Sequence, residues 1–173
     1  MIIDLITLPK SPFPFAFSFA PDEIDLDSEN AKLKNTVETK GELTKGIVQT
    51  DVRGEIITNA EVECSRCLQP SELELKIRFE AAYVAAENYT EAKEAELREH
   101  DLDVSIFSGD KIEIKELVRE QILLNLPEQV FCREDCKGLC EKCGANRNLI
   151  DCNCIEKQID PRWQGLREIK IKN

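Results

Sequence analysis

Cysteine placement constrains this chain more than any other feature. Eight cysteines occur in 173 residues, six of them between Cys132 and Cys154, and they fall into four short pairs. The pairs are Cys64-x2-Cys67, Cys132-x3-Cys136, Cys140-x2-Cys143 and Cys152-x-Cys154. Two thiolates carried on one tight turn can converge on a single ion, because a zinc–sulfur bond is only about 2.3 Å long. Eight thiolates so arranged match two closed four-thiolate sites, so the expected cofactor is Zn2+, two ions per chain.

Cys140-Glu-Lys-Cys143-Gly144 reads as a knuckle in which Gly144 supplies a backbone angle that aims amides at the sulfurs. Eight residues separate Cys143 from Cys152, so Cys140, Cys143, Cys152 and Cys154 can close on one ion at little entropic cost. The remaining pairs, Cys64/Cys67 and Cys132/Cys136, would form the second site across 64 intervening residues, where a staple helps most. Two of the pairs depart from the common C-x2-C spacing, which leaves a swapped pairing open.

Disulfides, redox thiols and an iron–sulfur cluster are the competing readings. Disulfides need an oxidising compartment. The start, Met1-Ile-Ile-Asp-Leu, carries an early acid and meets Pro9, Pro12 and Pro14 where an export signal would have its apolar core. Pairs as close as Cys152/Cys154 also make poor disulfide partners. No apolar run approaches the ~18 residues of a membrane span. A cytoplasmic, zinc-binding chain is the expectation.

Charge narrows the choice of partner. The formal net charge is −11, and two zinc tetrathiolate sites would take it to about −15. A chain that acidic is not a bulk phosphate binder, since nonspecific nucleic-acid affinity comes from cationic neutralisation. The excess is unevenly placed. Residues 132–173 hold nine Lys/Arg against seven Asp/Glu, which gives +2 there and leaves −13 for residues 1–131. Arg133, Lys137, Lys142 and Arg147 are interleaved with the cysteines, and they either offset thiolate charge or contact RNA or a partner protein.

The body reads as α+β: an antiparallel β-sheet or open barrel with one main helix and a small cysteine-rich zinc-binding C-terminal module. Phe13, Phe15, Phe17 and Phe19 recur at period two. No basic residue lies in that run, which favours a strand packing on the core, with Pro14 marking an edge, over a base-stacking platform. From about Leu33 to Val84 the signature is antiparallel β. Gly41, Gly46 and Gly54 punctuate it, and Val37, Ile47, Val48, Val52, Ile56, Ile57 and Val62 supply β-branched residues. Leu73, Leu75, Ile77, Phe79, Ala81 and Tyr83 alternate with charged neighbours, so one face is core. Cys64-Ser-Arg-Cys67 then falls in a turn between strands.

Residues 87–103 turn acidic and read as an exposed linker or solvated helix, with His100 a surface residue. Over 114–126, Ile114, Leu117, Val118, Gln121 and Ile122 define a helical face, widened by Leu124 and Leu126, and Pro127 ends it. Trp163, Leu166, Ile169 and Ile171 mark a short tail expected to dock on the sheet. Two domains are expected: 1–131, β-rich with the acidic linker and helix, and 132–173, the zinc module and tail.

Three motifs in order carry a resemblance. Cys64-Ser-Arg-Cys67-Leu-Gln-Pro70 leads into an alternating strand, Glu116-Leu-Val-Arg-Glu-Gln-Ile-Leu-Leu-Asn-Leu-Pro127 follows, and then Cys132-Arg-Glu-Asp-Cys136-Lys-Gly-Leu-Cys140-Glu-Lys-Cys143-Gly-Ala-Asn146. Together, from roughly Gly41 to Trp163, they resemble the YceD family, the large ribosomal RNA subunit accumulation proteins. The resemblance implies a role in accumulation of large-subunit ribosomal RNA, with no catalytic residues to carry over. Four-thiolate zinc leaves no open coordination position, and neither a Ser/His/Asp set nor a phosphate-cradling glycine loop is evident. The expected function is therefore a non-enzymatic factor that binds precursor RNA or a basic ribosomal protein. A zinc-binding adaptor acting indirectly on ribosomal RNA levels is the alternative.

Overall fold

Residues 1–8, 11–47, 49–86, 104–107 and 111–154 are described by the structure, a computed structural model. Among them the order is β1 (Ile2–Asp4), β2 (Phe13–Phe19), β3 (Ala31–Leu33), β4 (Val37–Lys45), β5 (Gln49–Glu63), β6 (Pro70–Ala85), β7 (Val104–Phe107), β8 (Lys111–Glu113) and α1 (Ile114–Asn125). The expected linker at 87–103 with His100, and the tail with Trp163, lie outside the described residues.

The alternation in the sequence becomes a half-barrel sheet ordered β2-β4-β5-β6-β7. β5 is long enough to be shared along one edge. β4 pairs with its residues 50–57 and β3 with residues 60–62, both antiparallel, while β6 runs along its whole other edge. One departure from the antiparallel expectation is β7, which joins β6 in parallel, Ala82 opposite Val104 through Ala85 opposite Phe107. A parallel neighbour requires a crossover rather than a hairpin, and the chain between the two strands is long enough to make one. β1 and β8 form a separate two-stranded ladder.

Cross-strand pairs place the core on one face. Phe19 faces Val37, Leu43 faces Val52 and Ile56 faces Ile77, all of them buried. Phe15 and Phe19 are buried and Phe13 and Phe17 partly so, which makes the Phe run a core strand at the sheet edge, where Pro14 costs no ladder bond. Against this face lie α1, which packs on β6 and β1, and the buried Ile3 of β1. Ile114, Leu117, Val118 and Ile122 of the helix are buried. Leu126 packs partly on the core, but Leu124 is 77% exposed and does not widen the helical face. Ile47, read as a strand residue, is fully exposed in the β4–β5 turn, where Gly46 N–H donates to the Gln49 carbonyl.

The opposite face is laced with ion pairs, including Lys40–Glu55 at 3.1 Å and Arg53–Glu80 at 2.5 Å, each between directly opposed residues. Exposed pairs of this kind contribute about 0.2–1 kcal/mol each. Acids still outnumber bases on this face, where Glu38, Glu42, Asp51 and Glu72 stand beside the paired residues. Further negative charge is carried by the β2–β3 loop, where Asp22, Glu23, Asp25, Asp27 and Glu29 are all exposed around the buried anchors Ile24 and Leu26. Arg119 of α1 holds this loop by donating to the Asp25 carbonyl at 2.6 Å and pairing with Asp27.

A single transverse row explains two of the glycines. Phe15, Gly41, Gly54 and Phe79 stand opposite one another across β2, β4, β5 and β6. The two rings cover the positions where side chains would project. A Cβ at Gly54 would lie 2.7 Å from the Phe79 ring and 2.7 Å from the Lys40 carbonyl oxygen. We therefore expect Gly54→Ala to cost about 1–3 kcal/mol through overpacking. The midpoint of urea unfolding reads this directly, and an unchanged midpoint would mean that Phe79 yields freely.

Candidate metal centres

β5 ends at Glu63 and β6 begins at Pro70, so residues 64–69 must reverse the chain. They do so in a compact turn in which Cys64 N–H donates to the Gln69 carbonyl at 2.8 Å and Leu68 N–H to the Cys64 carbonyl at 2.9 Å. Leu68 adopts φ +57°, an uncommon angle for a residue with a side chain, and it brings the chain back in line for β6. Cys64 and Cys67 are both buried beneath this turn.

Downstream of α1 the chain is clamped onto the same turn. Ser65 N–H donates to the Val130 carbonyl, and Val130 N–H returns a bond to Ser65 Oγ. The Arg66 guanidinium lies 4.2 Å from the centre of the Phe131 ring and donates to the carbonyls of Glu134 and Cys136. These contacts deliver Cys132 and Cys136 to the turn. Cys67 Sγ is 3.6 Å from Cys132 Sγ, Cys64 Sγ is 3.8 Å from Cys136 Sγ, and all four sulfurs lie within 4.8 Å of one another. We call this group the turn centre.

The second group is local. Gly144 N–H donates to the Cys140 carbonyl and Cys140 N–H to the Ala145 carbonyl, each at 2.8 Å, with Gly144 at φ +71°. This is the knuckle expected from Cys140-Glu-Lys-Cys143-Gly144. A short bridge between Leu139 and Asn146 closes the loop, and Cys140, Cys143, Cys152 and Cys154 converge within 4.8 Å. We call it the loop centre. The grouping of the eight sulfurs is the one that spacing favours, not the swapped one. The turn centre also draws ligands from both sides of the expected boundary at 131/132.

Donor chemistry and spacing fit a metal. A tetrahedron with bonds of about 2.3 Å has edges of about 3.8 Å, close to the Cys64–Cys136 and Cys67–Cys132 separations of the turn centre. A disulfide would bring two sulfurs to about 2.05 Å, and all eight cysteines are free thiols. Electrostatics point the same way. Burial opposes ionisation of Cys64, yet hydrogen bonds from the backbone of Cys132, Arg66 and Cys67 outweigh it and bring this thiol down to about 6. Backbone bonds from Cys143 and Lys142 bring Cys140 to about 6 as well. Each group then resists losing its last proton. Desolvation and bonds to neighbouring sulfurs push Cys132 up to about 12, and bonds to Cys143 and Cys140 do the same for Cys154. Four clustered sulfurs ionise together only around a cation.

Several contributors were not singled out in the sequence. Arg66 and Ser65 join the two halves of the turn centre, and Asn148 Nδ2 donates to Cys136 Sγ at 3.3 Å. Gly138 (φ +72°) lets the chain pass the turn, where a Cβ would sit 3.0 Å from the Arg66 carbonyl oxygen. The Asn146-Arg-Asn148 triplet beside a knuckle was the available signal. The candidate contact cations Arg133, Lys137, Lys142 and Arg147 are all exposed, Arg133 beside Asp135 at 3.4 Å.

Comparisons with known proteins agree on one relationship. The family model described as large ribosomal RNA subunit accumulation protein YceD matches residues 52–170. An uncharacterized protein of Mycobacterium tuberculosis is 30% identical over 118 residues, covering 68% of this chain and 54% of its own length. The chain thus spans about half the length of the mycobacterial relatives it matches. Protein YlbN of Bacillus subtilis is 27% identical over 169 residues, covering 97% of this chain and 94% of its own length. A chloroplastic protein of Arabidopsis thaliana, named large ribosomal RNA subunit accumulation protein YCED homolog 1, is 32% identical over 60 residues, 35% of this chain and 19% of that one. No solved structure matches significantly.

The two groups differ in what they hold together, so their loss should differ. Cys64 is fully buried at the end of the sheet and faces a segment far along the chain, whereas Cys152 belongs to a local loop. Cys64→Ser is expected to lower the melting temperature of the whole fold more than Cys152→Ser. Equal shifts would mean that both groups belong to one cooperative unit.

Proposed function

Because this chain belongs to the YceD family, whose model carries the description large ribosomal RNA subunit accumulation protein, we propose that it is a non-enzymatic zinc-binding factor supporting accumulation of the large-subunit (23S-type) ribosomal RNA. In this reading it acts in the cytoplasm during ribosome assembly. The observation that carries the metal assignment is the pair of four-cysteine groups with sulfur spacings near those of a zinc tetrathiolate. The residues that would hold the two ions are Cys64, Cys67, Cys132 and Cys136 in one centre and Cys140, Cys143, Cys152 and Cys154 in the other. Four thiolates complete the tetrahedral shell of zinc and leave no position for water or substrate, so the ions act as structural ties.

Charge favours a basic ribosomal protein as the direct partner. The body is repelled by phosphates at −13 over residues 1–131. Exposed carboxylates of the outer sheet face, among them Glu38, Glu42 and Glu72, and of the β2–β3 loop offer a cationic partner its contacts. A second reading has one observation behind it. Arg133, Lys137, Lys142 and Arg147 are exposed on the metal-tied segment and could bear on precursor RNA. Among the described residues, no helix is long and apolar enough to cross a membrane.

Two measurements test this reading. Elemental analysis of protein purified without chelator should find close to two zinc per chain, and one or none with every cysteine reduced contradicts the two-centre assignment. Changing Arg133, Lys137, Lys142 and Arg147 together to Glu should leave co-sedimentation with large-subunit precursors intact if a basic protein is the partner. Loss of association, with zinc content and melting unchanged, would transfer the contact to RNA. In that case each single change to Ala should flatten the salt dependence by about 0.7–0.9 log units per log unit of salt.

A further inference from the structure

The two centres are separate in their ligands but not in their surroundings. Asn148 sits in the loop between Cys143 and Cys152, so closure of the loop centre fixes the segment that carries it. Its side chain reaches out of its own centre to the other one. Nδ2 donates to Cys136 Sγ at 3.3 Å, while Oδ1 accepts from Lys137 N–H at 2.8 Å. Asn146 sets the rotamer, its Oδ1 accepting from both Asn148 N–H at 3.0 Å and Asn148 Nδ2 at 2.9 Å. The same loop is hung on the turn by Arg147 N–H to the Gly138 carbonyl and Leu139 N–H to the Arg66 carbonyl.

An amide that donates to a metal-bound thiolate stabilises the deprotonated ligand and orients it, and removing such a partner typically costs about 10–100-fold in metal affinity. The bond is useful only while the loop is held in place. Without an ion in the loop centre, the residues between Cys143 and Cys152 keep only hydrogen bonds such as Arg147 N–H to the Gly138 carbonyl, and the backbone freedom they gain opposes the contact.

We propose that Asn148 is a positioning residue that couples the two centres, so that metal in the loop centre raises the affinity of the turn centre. This rests on the two-centre reading above. Linkage makes the effect reciprocal: metal in the turn centre tightens the loop centre by the same factor. The cysteine-rich segment then loads and unloads its ions together, and a chain that has lost the loop ion also holds the turn ion more weakly.

Cadmium-113 tests this on the full chain, since each four-thiolate centre gives its own NMR signal and affinity is read by competition with a chelator. The unaltered protein should show two signals and two equivalents. Asn148→Ala should weaken the turn centre by about 10–100-fold and displace its signal. Asn148→Asp keeps an oxygen for Lys137 N–H but has no proton for Cys136, so it should weaken the centre at least as much, separating the sulfur bond from loop folding. In a Cys152→Ser/Cys154→Ser background, where the turn centre is already weakened, Asn148→Ala should add nothing. An equal Asn148→Ala loss in both backgrounds, or no loss in either, overturns the coupling while leaving two centres standing. Uptake of fewer than two equivalents by the unaltered protein overturns the two-centre reading and the coupling with it.

Discussion

Four sulfurs drawn together where β5 turns into β6 are the contact on which the placement of the chain beyond α1 depends. Cys64 and Cys67 are fixed by strand geometry, whereas Cys132 and Cys136 arrive from the far side of α1. Without them the segment after Pro127 would be held to the turn by two Ser65 bonds, the Arg66 side chain, Leu139 N–H to the Arg66 carbonyl and little apolar surface. The buried cluster at this point consists of Cys64, Cys67 and Cys136 with Leu139 packed against it. Such a cluster is too small to pin a long chain closure by apolar burial alone, and a metal tie there would supply what it lacks.

The sheet, by contrast, has its own core. Phe15 and Phe79 fold over Gly41 and Gly54, the buried helix residues cap the same face, and cross-strand ion pairs line the other. The division of labour has a functional consequence. A stiff, self-sufficient β-body can hold a metal-tied segment at a fixed place without that segment needing a hydrophobic core. Exposed cations and acidic loop residues are then presented from rigid supports, which would lower the ordering cost of the proposed binding of a partner.

Much of this was legible in the sequence because it depends on periodicity and spacing. Period two marked β2 and β6, the i, i+3, i+4 pattern marked α1, and short cysteine gaps marked the pairs that share a turn. The misreadings have a common origin in tertiary context. Leu124 matches the helical pattern yet points away from the sheet, and Ile47 is β-branched yet lies in a turn that Gly46 forms. The parallel placement of β7 depends on a crossover, which no local pattern encodes. Asn148 was missed for a similar reason, since its partner Cys136 belongs to the other quartet and only the folded loop brings the two together.

The central claim is that metal bound by thiolates alone joins the sheet to the segment beyond the helix. Zinc-edge X-ray absorption on the purified chain tests it most directly. The account predicts a single shell of four sulfurs at about 2.3 Å with no lighter ligand. Nitrogen or oxygen in that shell, or sulfur–sulfur bonds in place of metal–sulfur bonds, would contradict it.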